Sequence, residues 1–235
     1  MSNEWAVGEL VERSPVASAF GREVIKGNAI SLFPLDASAH GADLYASFAT
    51  SDPEDRLWTY MSQGPFADET AFRTWLNPQE QSTDPLFFTL VPGSSNKPEG
   101  MASFLRMDRA NAVAEIGNIW FAPSLQRTRA ASEAIFLMMR HVLETRSCRR
   151  LEWKCNALNG PSRRAAERFG FNFEGIFFNH MVVKGRNRDT AWYAIIEEDW
   201  PRIRTAFETW LGDGNFDEDG VQKQTLGTLT KAARD

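Results

Sequence analysis

Cysteine and histidine are scarce: Cys148 and Cys155 are the only thiols, and His40, His141 and His180 the only imidazoles, among 235 residues. Two cysteines give neither a disulfide framework nor a zinc site, and the histidines are too scattered along the chain to form a metal set. No metal is expected, and a reducing cytoplasm is the simplest setting. Long apolar runs are absent as well. Nowhere do about 18 apolar residues follow one another, so no membrane partner is expected. Residues 1–10 carry Glu4 and Glu9 and no basic stretch leading into an apolar run, so no secretory signal is visible. Positive charge is outnumbered, with 26 Lys and Arg against 31 Asp and Glu and a net charge of -5, which argues against nucleic acid as a partner. No segment repeats at a period of about 20–50 residues, which removes the solenoid architectures.

What is present is ordinary globular material, 43% hydrophobic and 24% charged, long enough to bury a core without covalent staples. The expectation is a single domain over residues 28–212, preceded by a loosely attached lead-in, 1–27, and followed by a flexible tail, 213–235, in which Gly, Asp and Thr replace large apolar residues. Within the domain, apolar runs of strand length alternate with helical patterns. Residues 30–33 read as a strand, 37–48 and 70–76 as helices, and 86–91 and 101–107 as a hairpin around Pro92-Gly93-Ser94-Ser95-Asn96. A strand over 112–121 is followed by a helix over 131–146. That helix places Ala131, Ile135, Met138 and Val142 on one face, with Glu133 and Glu144 off it. Next come a strand over 151–155 and a short helix opened by Asn159-Gly160-Pro161-Ser162 and stopped at Gly170. Residues 171–183 and 189–196 flank the turn signal Lys184-Gly185-Arg186-Asn187, which predicts a long antiparallel hairpin. Trp200, Ile203, Phe207 and Trp210 mark a last helix.

A strand, a polar turn and a helix start suit phosphate chemistry, because the first turn of a helix leaves backbone N–H groups unpaired and its dipole favours anions. Gln126, Arg127, Thr128, Arg129, Ala130 and Ala131 supply that arrangement with two guanidinium groups. The alternative for the two arginines is simple solvation.

The same segment resembles the Gln/Arg-x-x-Gly-x-Gly/Ala pyrophosphate loop of the GNAT superfamily of acyl-CoA-dependent N-acyltransferases, followed by the Ser132-Glu133-Ala134 that often opens its long helix. Upstream, Ala114-Glu115-Ile116-Gly117 resembles the fourth-strand motif of the RimJ/RimL-like branch. Downstream, Asn159, Ser162, Glu167, Arg168, Gly170, Phe171, Glu174 and Gly175 are similar in spacing to that branch's asparagine, serine and Gly-Phe-x-x-Glu-Gly signature. The resemblance implies an α/β fold with a twisted mixed sheet flanked by helices, splayed between the strands over 112–121 and 151–155. It implies acetyl-CoA as co-substrate and an amine acceptor as partner. Ile119, Trp120 and Phe121 would pair with the pantetheine arm as an added strand would, Gln126 to Ser132 would hold the pyrophosphate, and Asn159, Ser162 and Arg163 would lie beside the coenzyme.

An amine must lose a proton before it attacks a thioester, so a carboxylate at the end of the cleft is expected. Glu115 is the candidate base; its alternative is a solvated residue on a half-exposed strand. The sequence departs from the family pattern at Arg129, where glycine is common, and at Ala166, where many members carry a tyrosine thought to protonate the leaving thiolate. The resemblance offers Ser162 in its place, although serine beside Pro161 also suits a helix cap. Trp58, Tyr60, Phe66, Phe72 and Trp75 fall where the family builds its acceptor wall and are read first as core. Cys155 reads as a structural thiol. The expected activity is direct transfer of an acetyl group to a primary amine, on a protein N-terminus or a small molecule. The alternative is a catalytically silent acyl-CoA-binding sensor of the same fold. Monomer and homodimer stay open, the latter through the edge of the long hairpin.

Overall fold

The computed structural model describes residues 5–11, 16–52 and 54–233. Parts of the expected lead-in, 1–4 and 12–15, and the last two residues of the expected tail lie outside them.

Eight strands form one sheet: β1 (Ile25–Lys26), β2 (Ile30–Pro34), β3 (Leu86–Pro92), β4 (Gly100–Asp108), β5 (Val113–Phe121), β6 (Arg150–Asn156), β7 (Asn172–Val183) and β8 (Arg186–Ile196). Their order is β1-β2-β3-β4-β5-β6-β8-β7, and every pairing is antiparallel except β5 with β6. The mixed sheet agrees with the expected fold class.

The alternation along the strands sends two apolar sets to opposite faces. On one face, Leu32, Phe88, Phe104, Ala114, Ile116 and Tyr193 join α3 (Arg129–Arg140) and α5 (Trp200–Leu211) in the main core. On the other, Phe87, Met101 and Trp120 pack with Leu44 and Phe48 of α1 (Ala37–Ala49) and Phe72 and Leu76 of α2 (Glu69–Gln79). Trp58 and Phe72 are buried in this second core, with Phe66 and Trp75 packed against it. Asp36 and Asp68 cap α1 and α2 by accepting from the N–H groups of Ala39 and Ala71, each at 2.8 Å.

Helix α3 differs from the one-sided expectation: every residue from Ala131 to Met139 is buried, because the sheet covers one flank and α5 the other. Glu133 is buried with them, and its carboxylate accepts from the N–H groups of Asn28 and Ala29, both at 2.7 Å. The helix gives way at His141–Thr145 to a single π turn. α4 (Gly160–Arg168) ends as expected, with Gly170 at φ +90°. The turn between β7 and β8 has both Lys184 and Gly185 at positive φ, the type I′ geometry that matches strand twist.

The flexible tail is corrected. After α5 the chain folds back through a bridge between Phe216 and Gln222 into α6 (Leu226–Ala232), whose Leu226 and Thr230 are fully buried against α4 and α5. Spaced polar residues, not a long apolar run, fasten this segment: Trp210 Nε1 donates to Gln222 at 2.7 Å, and Asn215 Nδ2 donates to the carbonyl of Gln224 at 3.1 Å. The end of the lead-in is also fixed, since Ala17 is buried, its N–H donates to the Arg109 carbonyl at 3.0 Å, and Arg146 donates to the Ala19 carbonyl at 2.7 Å.

Candidate active site

The parallel ladder of β5 and β6 stops after three pairs, Val113 with Arg150, Ala114 with Leu151 and Glu115 with Glu152. Beyond Glu115 the two strands part. From Ile116 to Phe121 the edge of β5 that turns toward β6 has no strand partner among the described residues, while its other edge stays paired to β4.

A bulge sits at this point. Ser103 pairs with Gly117 and Met101 with Trp120, so one strand advances two residues while the other advances three, and Asn118 takes φ +50°. The extra residue reverses the phase of β5. Ala114 and Ile116 face the main core before it; after it, Ile119 and Phe121 face that core and Trp120 joins the second. Asn118 Nδ2 donates to Ser103 Oγ at 2.9 Å, and Ser103 Oγ donates to the Gly117 carbonyl at 3.1 Å, which fastens the bulge.

Glu115 is 3% exposed, which overturns the solvated alternative. Its Oε2 accepts from Arg106 Nη1 at 2.7 Å and lies 3.0 Å from Lys154 Nζ. Lys154 also meets Glu152 at 2.6 Å, and Arg150 ties Glu152 to Glu174. The other oxygen, Oε1, lies over Gly117, 3.4 Å from where a side chain there would begin. One oxygen is thus held by two cations and the other faces the start of the gap.

On the β6 side, Asn159 caps α4, its Oδ1 accepting from the N–H of Ser162 at 3.1 Å. Ser162 Oγ accepts from Trp153 Nε1 at 3.0 Å. An indole N–H can only donate, so the Ser162 hydroxyl keeps its own proton to give, and the Cys155 sulfur is already one hydrogen-bond partner. Burial pushes the neighbouring Cys155 thiol up, consistent with a structural thiol. Arg163 Nε donates to Tyr193 Oη at 3.1 Å, and its guanidinium lies over the Phe173 ring, 5.5 Å from the centroid. Ala166 is fully buried in the main core.

The turn before α3 departs from expectation in detail. Arg127, at φ +62°, is the left-handed residue, and Arg129 is the first residue of the helix. Thr128 caps α3, accepting from the N–H of Ala131 at 3.0 Å, which leaves the N–H groups of Arg129 and Ala130 pointing out of the first turn. The side chain of Arg129 turns away to the C-terminal segment, where it donates to the Leu211 carbonyl, pairs with Asp213 at 2.8 Å and lies 4.9 Å from the Phe216 ring. Gln126 Nε2 donates to the Phe121 carbonyl at 3.0 Å. Ser132 is buried and accepts from Arg168 at 3.1 Å, so it is not brought to the turn's open side.

A cavity of about 760 Å³ opens at this helix start, lined by Arg127, Thr128 and Arg168 and, from the C-terminal segment, by Phe216, Asp217 and Glu218. The sequence pattern located the loop and missed its opposite wall. Among the described residues no group of three His, Cys, Asp or Glu could hold a metal ion, and no helix is long and apolar enough to cross a membrane.

A mixed sheet that parts beside two parallel strands, with a capped helix start behind the gap, defines the acyl-CoA-dependent transferase class. Residues 32–172 match the Acetyltransferase (GNAT) domain family. The crystal structure of a GCN5-related N-acetyltransferase from Brucella melitensis is 43% identical with a TM-score of 0.90, over 94% of this chain and 99% of that one. A probable GNAT-family acetyltransferase from Chromobacterium violaceum is 37% identical with a TM-score of 0.77, over 86% and 100%. The ribosomal-protein-serine acetyltransferase of Escherichia coli is 36% identical over 97 residues, 41% of this chain, in keeping with the RimJ/RimL-like pattern. The chain spans about half the length of the curated relatives it matches, 50% and 54%. This chain belongs to the GNAT acetyltransferase family.

Proposed function

We propose that the protein transfers an acetyl group from acetyl-CoA directly to a primary amine, on a protein N-terminus or a small molecule. The observation that carries this reading is the parting of β5 from β6 immediately beyond Glu115, with the first turn of α3 at the far end of the same strand. Acetyl-CoA fits these residues because an unpartnered strand edge suits an amide-bearing arm and an open helix start suits a pyrophosphate; it supplies the activated thioester.

The chain's own residues divide the remaining work. The edge at Ile119, Trp120 and Phe121 orients the arm, and a backbone N–H of this edge stabilises charge developing on the thioester oxygen. The N–H groups of Arg129 and Ala130, with the backbone of Arg127, Thr128 and Ala131, receive the phosphates, while Asn159 bonds the arm and Arg163 lies beside the coenzyme. Gln126 and Ser132 support the loop from behind. Glu115 takes the amine's proton through Oε1, directly or through one water, while Arg106 and Lys154 fix its rotamer through Oε2. Ser162, oriented by Trp153, donates its proton to the departing sulfur.

Calorimetry of acetyl-CoA binding, paired with thiol release against peptide N-termini and small amines, tests the reading in the wild type and in Glu115→Gln. The expected result is binding by both proteins and a loss of kcat of about 100-fold in the variant. Binding with no turnover of any amine would favour the silent acyl-CoA-binding protein. Absence of binding would remove the function altogether.

A further inference from the structure

The ion pairs beside the gap form one linked chain: Arg106, Glu115, Lys154, Glu152, Arg150 and Glu174. It contains three cations and three carboxylates and is neutral in itself. Arg188 stands next to it and is not part of it. Burial disfavours its charged form, and Cys155, Glu115 and Arg106 act on its charge. Among the described residues no carboxylate comes within ion-pair distance of it. Its Nη1 donates to the Met181 sulfur at 3.5 Å, and its Nε is shielded from solvent with no hydrogen-bond partner.

Arg188 is half-buried with its Nε fully shielded, and a guanidinium partly withdrawn from water is best stabilised when an anion or several acceptors replace the lost solvent. Its position says where an anion would bind. Along β8, Arg188, Thr190 and Trp192 alternate onto one face, and the register sets Thr190 opposite Asn156 and Trp192 opposite Lys154. Lys154 Nζ lies 3.8 Å from the Trp192 ring centroid and 3.0 Å from Glu115, so this face of β8 belongs to the side of the sheet on which β5 presents the proposed base. The Trp192 indole N–H is also buried without an acceptor. Residues 58–60 close over the same end of the sheet, since Lys184 donates to the Trp58 carbonyl at 2.8 Å and Tyr60 to the Leu158 carbonyl at 3.1 Å.

We infer that the amine acceptor carries a carboxylate and that Arg188 receives it, fixing the amine beside Glu115. This rests on the acetyl-transfer reading above. One unmatched positive charge calls for one negative charge, and a planar guanidinium meets a carboxylate through two parallel N–H donors. Arg188 is a specificity-determining residue on this account, and the acceptor is an amino acid or a related amino-carboxylate.

The test uses the full chain and matched acceptors: L-alanine with L-alaninamide, β-alanine with β-alaninamide, γ-aminobutyrate with its carboxamide, and phosphoethanolamine with ethanolamine. In the wild type, kcat/KM is expected to favour at least one carboxylate over its carboxamide by about 10-fold or more, the effect of one charge-assisted contact. Arg188→Gln is expected to abolish that preference with acetyl-CoA affinity unchanged, and Arg188→Lys to keep part of it. A preference that survives in Arg188→Gln, or a stronger preference for phosphoethanolamine, would overturn the carboxylate assignment. Should no amine be turned over, the same pairs are titrated calorimetrically onto the CoA-loaded protein. Carboxylate binding lost in Arg188→Gln upholds the site whatever becomes of catalysis, and no binding to the wild type sinks it. A structural role is separated by Arg188→Met, which should raise the melting temperature of the ligand-free protein if the guanidinium awaits a ligand; a lower melting temperature would count against the inference.

Discussion

The imidazole of His141 is stacked on Phe104, with ring centroids 5.2 Å apart, and its Nε2 accepts from Arg146 Nε at 2.9 Å. Burial pushes its pKa down from 6.5 to about 4. The neutral ring is therefore the folded form. As pH falls below 6.5 the unfolded chain takes up a proton that the folded protein refuses until about 4, so stability is lost across that window and is complete above it. Discounted for the ring's remaining contact with solvent, the effect is on the order of 1–2 kcal/mol, or about 3–6 °C in melting temperature. Melting curves between pH 8 and pH 4 should show this loss in the wild type and a shallower slope in His141→Phe, which keeps the stacked ring. Parallel slopes would mean that other groups carry the acid sensitivity.

At the scale of elements, the gap between β5 and β6 depends on how β4 and β5 approach each other at the bulge. A side chain at Gly100 would begin 2.6 Å from the Trp120 carbonyl oxygen, which belongs to the backbone and cannot rotate aside. Gly100→Ala should accordingly cost about 1–3 kcal/mol, visible as a lower urea midpoint, and should weaken acetyl-CoA binding because it displaces the same edge. An unchanged midpoint would show that the two strands can separate freely. The elements themselves were legible: the strands over 86–91 and 112–121 and the helix carrying Trp200 and Trp210 announce themselves by apolar period, and Lys184-Gly185 by turn chemistry. The bulge was not, because Gly117-Asn118 forms it through its register against β4, and a single strand does not display its register. The burial of Glu133 and Ser132 was hidden for a related reason. A helical pattern shows one apolar face, whereas the polar residues on the other flank are accommodated by partners distant in sequence, Asn28, Ala29 and Arg168.

For the whole molecule, the least legible feature is the fold-back of residues 213–232 onto the start of α3. Sequence-local reasoning sees Asp213, Asp217 and Glu218 as a solvated run, while the fold lines the cavity at the start of α3 with them. They face the same turn whose backbone is proposed to bind an anion, and Asp213 occupies Arg129. Opposed charge should therefore limit coenzyme affinity. Replacing the three by Asp213→Asn, Asp217→Asn and Glu218→Gln removes charge and keeps the side-chain shapes, with Phe216, Leu226 and α6 unaltered in sequence. The KM for acetyl-CoA is expected to fall about 3–10-fold at low ionic strength, with the gain shrinking as salt screens the cavity. Asp213 and Asp217 also hold this segment together, Asp217 by accepting from the N–H of Val221 at 2.7 Å. A rise in KM would therefore mean that the acidic residues build the coenzyme site by ordering its wall, and that their structural contacts outweigh their repulsion of phosphate.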